Sequence, residues 1–103
     1  MNKLDNKEKI KRIIMKPQAT CFCQIGKDWY LNKFEIEFRP DKYYPDYMEV
    51  EKWINENIEG KELNIEHAVN LIHTHLMFYE PFSVIVKSIV EDCKTHFNVI
   101  VEK

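Results

Sequence analysis

The stretch that decides the fold runs Glu49-Val50-Glu51-Lys52-Trp53-Ile54-Asn55-Glu56-Asn57-Ile58-Glu59-Gly60 and, after Lys61-Glu62-Leu63, continues Asn64-Ile65-Glu66-His67-Ala68. Val50, Trp53, Ile54 and Ile58 fall on one side of a helix, and Gly60 stands where a left-handed residue would stop it. Asn64 carries a side-chain oxygen that can cap a second helix, whose apolar stripe is Ile65, Val69, Ile72, Leu76 and Tyr79, with Pro81 as its stop. Two tandem helices therefore occupy the centre of the chain. Each has a glutamate near its start, Glu49 on the first and Glu66 on the second.

Outward from this pair the period changes from helical to twofold. Gln18 to Gln24 suits a strand, Gly26-Lys27-Asp28 suits a turn, and Phe34, Ile36 and Phe38 then alternate with Lys33, Glu35, Glu37 and Arg39 until Pro40. On the other side, Phe82 to Val90 is rich in Val and Ile and Glu91-Asp92-Cys93-Lys94 is a polar turn. Thr95 to Val101 follows, with Phe97, Val99 and Val101 alternating with His96, Asn98 and Ile100. The order is β-β-α-α-β-β. Two hairpins joined by a helix pair predict an α+β domain, a four-stranded antiparallel sheet with both helices on one face and both hairpin turns at one end. Its two edges need cover, and edge-to-edge joining of copies into a barrel supplies it, so a homo-oligomer with pockets between subunits is expected. The first sixteen residues place Ile10, Ile13 and Ile14 at helical spacing before Pro17, which predicts a short N-terminal helix or ordered arm over 1–16.

At 103 residues, with 45% hydrophobic content and two glycines, the chain reads as one domain spanning 1–103. A net charge of -2 gives no basic footprint for a phosphate backbone, although Lys7, Lys9, Lys11, Arg12 and Lys16 are locally positive, so no stable nucleic-acid binding is expected. No apolar run approaches a membrane span, and the charged start does not read as a signal peptide, so the expectation is a cytoplasmic protein with no membrane partner. Three cysteines, two of them one residue apart, read as reduced thiols.

Cys21, Cys23 and Asp28 put two thiols and an acid in one hairpin, and Glu49 and Glu66 supply carboxylates that can accept paired N–H donors. On these residues the chain resembles the tunnelling-fold proteins that bind purines and pterins. It is most similar to the 7-cyano-7-deazaguanine reductases of queuosine biosynthesis and their short amidinotransferase relatives. Those families carry a cysteine seven residues before an aspartate, a glutamate on the first helix and a His-Glu pair opening the second. Here Cys21 and Asp28 keep the seven-residue spacing, Trp29 follows, and Glu49 and Glu66 stand seventeen apart with Gly60 between. The likeness covers roughly Thr20 to Val90. Ile65 replaces the family histidine, and Glu49-Val50-Glu51-Lys52 replaces the Glu-Ser-Lys-Ser run of the reductases. Spacing to Asp28 favours Cys21 as the nucleophile, while spacing to Pro40 favours Cys23.

The resemblance implies a deazapurine-binding thiol enzyme acting in tRNA modification. Cys21 or Cys23 would attack a nitrile to form a thioimide, Asp28 would protonate its nitrogen, and Glu49 and Glu66 would read the ring. NADPH or ammonia would complete turnover, and no metal is implied. Simpler readings accompany each residue. A cysteine is often a small buried hydrophobe, Asp28 suits a turn, and glutamates at helix starts complement the helix dipole in any protein. His67, His73 and His75 spread around their helix and read as solvated or partly packed, Tyr43, Tyr44 and Tyr47 as packing beside Pro45, and Trp53 as core. A competing constellation, Cys21, Cys23, Cys93 and His96, offers four ligands for a zinc-stabilised interaction module without catalysis. A pterin enzyme of the same fold is a further alternative, though the histidine-rich metal motif of a pterin synthase is not apparent.

Overall fold

The computed structural model describes residues 2–91 and 98–103. Its spine is β4 (Asp28–Arg39), a twelve-residue strand that begins at the acid itself and runs to the end of the alternating segment. Along one edge of β4 lie β2 (Ile13–Met15) and β3 (Gln18–Cys23), both antiparallel to it. Along the other lies β6 (Ser83–Val90), followed by β7 (Val99–Glu102). β2 and β3 behave as one strand interrupted at Lys16-Pro17. The proline has no N–H to give the ladder, but its carbonyl still accepts from the Phe34 amide at 2.9 Å. The sheet is thus four ranks wide, as expected. A small separate ladder pairs β1 (Lys3–Asp5) with β5 (Tyr43–Pro45).

The expected N-terminal helix over 1–16 does not form. Residues 3–5 and 13–15 are strands, Ile13 and Met15 pack on the core, and Ile14 points away with 44% of its surface exposed. Three isoleucines fit either period over so short a run, and pairing with Ile36 to Phe38 selects the twofold one.

The helices stand where the central pattern placed them. α1 (Tyr47–Asn57) starts two residues before Glu49, because the Asp46 carboxylate accepts from the Met48 amide at 2.9 Å and caps it. Past its end Gly60 takes φ +74°. α2 (Ile65–Leu76) is capped by Asn64, whose side-chain oxygen accepts from the His67 amide at 2.7 Å, and it passes through a 3-10 turn (Met77–Tyr79) to left-handed Glu80 before Pro81. The apolar stripe of α2, with Tyr79, is buried throughout, together with Val50, Ile54 and Ile58 of α1. These side chains meet Ala19, Cys21, Tyr30, Phe34, Ile36, Phe38, Val84, Val86 and Val90 from one face of the sheet in a single core. Each large side chain so removed from water contributes roughly 1.5–3 kcal/mol before conformational entropy is counted.

One polar chain crosses this core. Ser88 donates to the Asn32 side-chain oxygen at 2.8 Å, and the Asn32 amide donates to the Ala19 carbonyl at 3.2 Å, tying β6 to β4 and β4 to β3. The opposite sheet face carries no helix among the described residues. It alternates ion pairs, Lys87 between Glu35 and Glu102, with exposed Ile14, Trp29, Leu31, Ile85 and Ile100.

Candidate functional site

The hairpin register separates the two thiols. Cys23 lies directly across from Asp28, and Cys21 lies across from Tyr30. Both side chains face the helices, as alternation requires, but their surroundings differ.

Cys21 is fully buried, and its thiol donates to the Ile58 carbonyl at 3.3 Å. Burial pushes its pKa up to about 11, with the Glu59 carboxylate adding to the rise and hydrogen bonds from Tyr30 and Asn32 opposing it. Tyr30 closes the same cluster by donating its phenol to the Leu63 carbonyl, and burial also raises its pKa. Cys21 is therefore held as a thiol, a donor locking β3 to the end of α1.

Cys23 sits at the margin, 9% exposed, and its sulfur accepts from the Gly26 amide at 3.5 Å. It lines a cleft of about 280 Å³ with Gln24, Ile25, Glu62, Leu63, Asn64 and His67. The cleft lies between the β3–β4 turn and the first turn of α2. Asp28 accepts from its own neighbour, the Trp29 amide, at 2.8 Å.

The glutamates are split. Glu66 is exposed on the first turn of α2, at the same end as Cys23. Glu49 lies at the other end of the helix pair, where it accepts from the Asn2 amide at 3.0 Å and helps raise the pKa of Tyr79, which follows α2, though burial is the larger cause of that rise. One protomer does not bring Glu49 to Cys23.

His67 is solvent-exposed, as expected, and it also lines the thiol cleft. Its distance in sequence from Cys23 hides this, and the only available signal was its place in the first turn after a capping Asn. Cys93 and His96 lie outside the described residues. Among those described, no group of three or more His, Cys, Asp or Glu side chains is arranged to hold a metal ion. No described helix is long and apolar enough to cross a membrane.

No protein-family model and no curated protein matches the chain. Among solved structures it is similar to the archaeosine synthase QueF-Like in its apo form, with a TM-score of 0.76 at 17% identity over 90% of this chain and 93% of that one. The chain therefore has the tunnelling fold.

Proposed function

We propose that this chain binds a purine-like nitrile of the 7-cyano-7-deazaguanine class and captures it covalently on Cys23. The observation that carries the reading is the hairpin register. It sets Cys23 opposite Asp28 at a cleft that also holds His67, on a fold shared with an archaeosine synthase. In the capture step the sulfur forms a bond to the nitrile carbon and one C–N π bond opens. The thiol proton is taken up by His67, and the nitrile nitrogen gains a proton from Asp28 or from the imidazolium, leaving a neutral thioimide.

Glu66, at the same end, accepts paired N–H donors of the ring, and Glu49 reaches such a site only from a neighbouring protomer. This supports an assembly of several copies. α1 presents Glu49 in its first turn and Glu51 two residues later, and Lys52 pairs with Glu56 at 3.9 Å. Two carboxylates there repel dinucleotide phosphates, so NADPH fits poorly and the reading routes no hydride through it. Attack on the thioimide by ammonia or a similar amine is the favoured fate. The zinc reading would need Cys21 as a thiolate, against the hydrogen bond its thiol donates to Ile58.

Intact-protein mass spectrometry after incubation with the nitrile, under denaturing conditions, tests the proposal. The expected result is one adduct that survives Cys21→Ala, vanishes in Cys23→Ala and forms more slowly in Asp28→Asn. An adduct confined to Cys21, or none at all, rejects it. Glu66→Gln sets a donor against ligand donors and should weaken binding by about 2–4 kcal/mol with little change in melting temperature. Equal losses of both would mark Glu66 as structural.

A further inference from the structure

A groove larger than the thiol cleft lies elsewhere in the protein. It has a volume of about 890 Å³ and lies at the far end of β4, lined on one side by Asp5, Asn6, Lys7, Lys9, Ile10 and Lys11 of the N-terminal arm. Arg39, Pro40, Asp41, Lys42, Tyr43 and Phe82 line the other. The twelve residues of β4 separate it from Cys23 by roughly 36 Å at strand rise.

Five cations against two carboxylates line this groove, although the whole chain has a net charge of -2. Among the described residues Lys7, Lys9, Lys11 and Lys42 make no ion pair, as Lys16, Lys27, Lys61 and Lys103 elsewhere do not, while Arg39 pairs with Glu37. The unpaired lysines of the groove are also held in place. Asn6 donates through its side-chain amide to the carbonyls of Ile10 and Asp41, both at 3.0 Å, and its side-chain oxygen accepts from the Ile10 amide at 2.9 Å. The Asn6 main-chain amide donates to the Lys42 carbonyl at 2.8 Å, and Lys9 takes φ +53° inside the resulting loop. One asparagine thus folds the arm and pins it to the opposite wall. Between the walls Phe82 is 76% exposed, and Ile10 is 42% exposed.

We propose that this groove is a second binding site, for a nucleotide unit whose phosphates lie along the lysine walls and whose ring rests on Phe82. The charges are spread along both walls and do not converge on one point. This suits several phosphates in a row better than a single anion, and an open aromatic floor suits a flat ring better than a bare polyphosphate. The residues of the arm lie outside the stretch that resembles the deazaguanine reductases, and the site does not depend on Cys23. Free nucleotides and a single-stranded nucleic acid present the same chemistry.

Fluorescence anisotropy of a labelled ten-nucleotide single-stranded RNA, with ATP and tripolyphosphate as competitors, tests this on the full chain. If all five cations neutralise phosphates, affinity should fall on the order of a hundredfold between about 50 and about 200 mM salt. Combined Lys7→Gln, Lys9→Gln and Lys11→Gln should lower the slope of log affinity on log salt by about two, and Lys42→Gln alone should lower it by less than one. Phe82→Ala should weaken binding without changing the slope. Displacement by ATP identifies a free-nucleotide site, and displacement only by unlabelled strand identifies a strand site; both uphold the proposal. Tripolyphosphate competing as well as ATP, with Phe82→Ala silent, would overturn the ring assignment. Failure of both ATP and RNA to bind at low salt, or binding indifferent to the lysine substitutions, would overturn the site. The Lys42→Gln variant leaves the arm sequence intact and keeps the test decisive if the triple variant does not fold.

Discussion

Cys21 and Cys23 are two residues apart on one strand and differ in burial, Cys21 being fully enclosed and Cys23 lying at the margin of a cleft. With a pKa near 11, Cys21 is ionised to on the order of one part in a thousand at pH 8. Iodoacetamide at that pH should label Cys23 in the native protein and spare Cys21, with both labelled in urea; equal native labelling would contradict the burial of Cys21. The raised pKa also carries a stability consequence. Folding favours the protonated thiol, so its contribution is complete below pH 9 and is lost as pH rises through about 11. Tyr30 shifts in the same direction for the same cause. Melting temperature should therefore fall above pH 9, and less steeply in Cys21→Ala. That substitution also removes one of two donors to the Ile58 carbonyl, which the Lys61 amide still serves at 3.1 Å, and should cost about 0.5–1.5 kcal/mol at neutral pH for the lost hydrogen bond.

Among the elements, the helix pair is joined to the sheet by its connection as well as by its apolar stripes. The Gly60 amide donates to the Thr20 carbonyl at 2.7 Å, the Phe22 amide donates to the Lys61 carbonyl at 2.9 Å, and the Thr20 amide donates to the Glu59 carboxylate. Gly60 holds φ +74° with nothing within 4 Å of an added Cβ, so Gly60→Ala meets backbone strain and no clash. A loss of about 1 kcal/mol in denaturant unfolding is expected, and no loss would mean that the turn relaxes. Between the helices His75 stacks on Trp53, ring centroids 4.1 Å apart, and meets Tyr79 edge-on. Burial lowers its pKa, so folding favours the neutral ring. Its contribution is complete above about pH 6.5 and is lost as pH falls through the lower folded value. His73 shifts the same way. His75→Phe, which keeps the stack, should reduce the drop in melting temperature between pH 7 and pH 5; an unchanged drop would remove His75 from the account.

At the scale of the whole molecule, extents of 46 × 22 × 16 Å describe a thin two-layer slab with one sheet face bare of helices among the described residues. Its edges are unequal. The β3 edge is already engaged by residues 59–61, which leaves β2 and β7 as the strands with room for a neighbour. Light scattering at micromolar concentration should therefore give a mass well above the 12.5 kDa of one chain. A monomer would remove the route by which Glu49 joins the thiol site.

The sequence by itself determined the two helices, the long strands and their sidedness, though not the short strands at residues 3–5, 13–15 and 43–45. Asn64 as cap, Gly60 as stop, the stripe from Ile65 to Tyr79 and the alternation from Phe34 to Phe38 are local patterns, and each is set by interactions within a few residues. The sequence also put Cys21, Cys23 and Asp28 in one hairpin, where the structure has them. The difference in surroundings between Cys21 and Cys23 was not legible, because it depends on cross-strand register and on the Ile58 carbonyl, thirty-seven residues away. His67 joined the cleft, and Lys42 and Arg39 joined Lys7 to Lys11, for the same reason: neither proximity has a periodic signature in the chain. Even the arm's Ile13 and Ile14 were ambiguous until β4 supplied a partner. Spacing along the chain sets local conformation. Which thiol is enclosed, and where charge gathers, is decided by neighbours that only the closed sheet brings together.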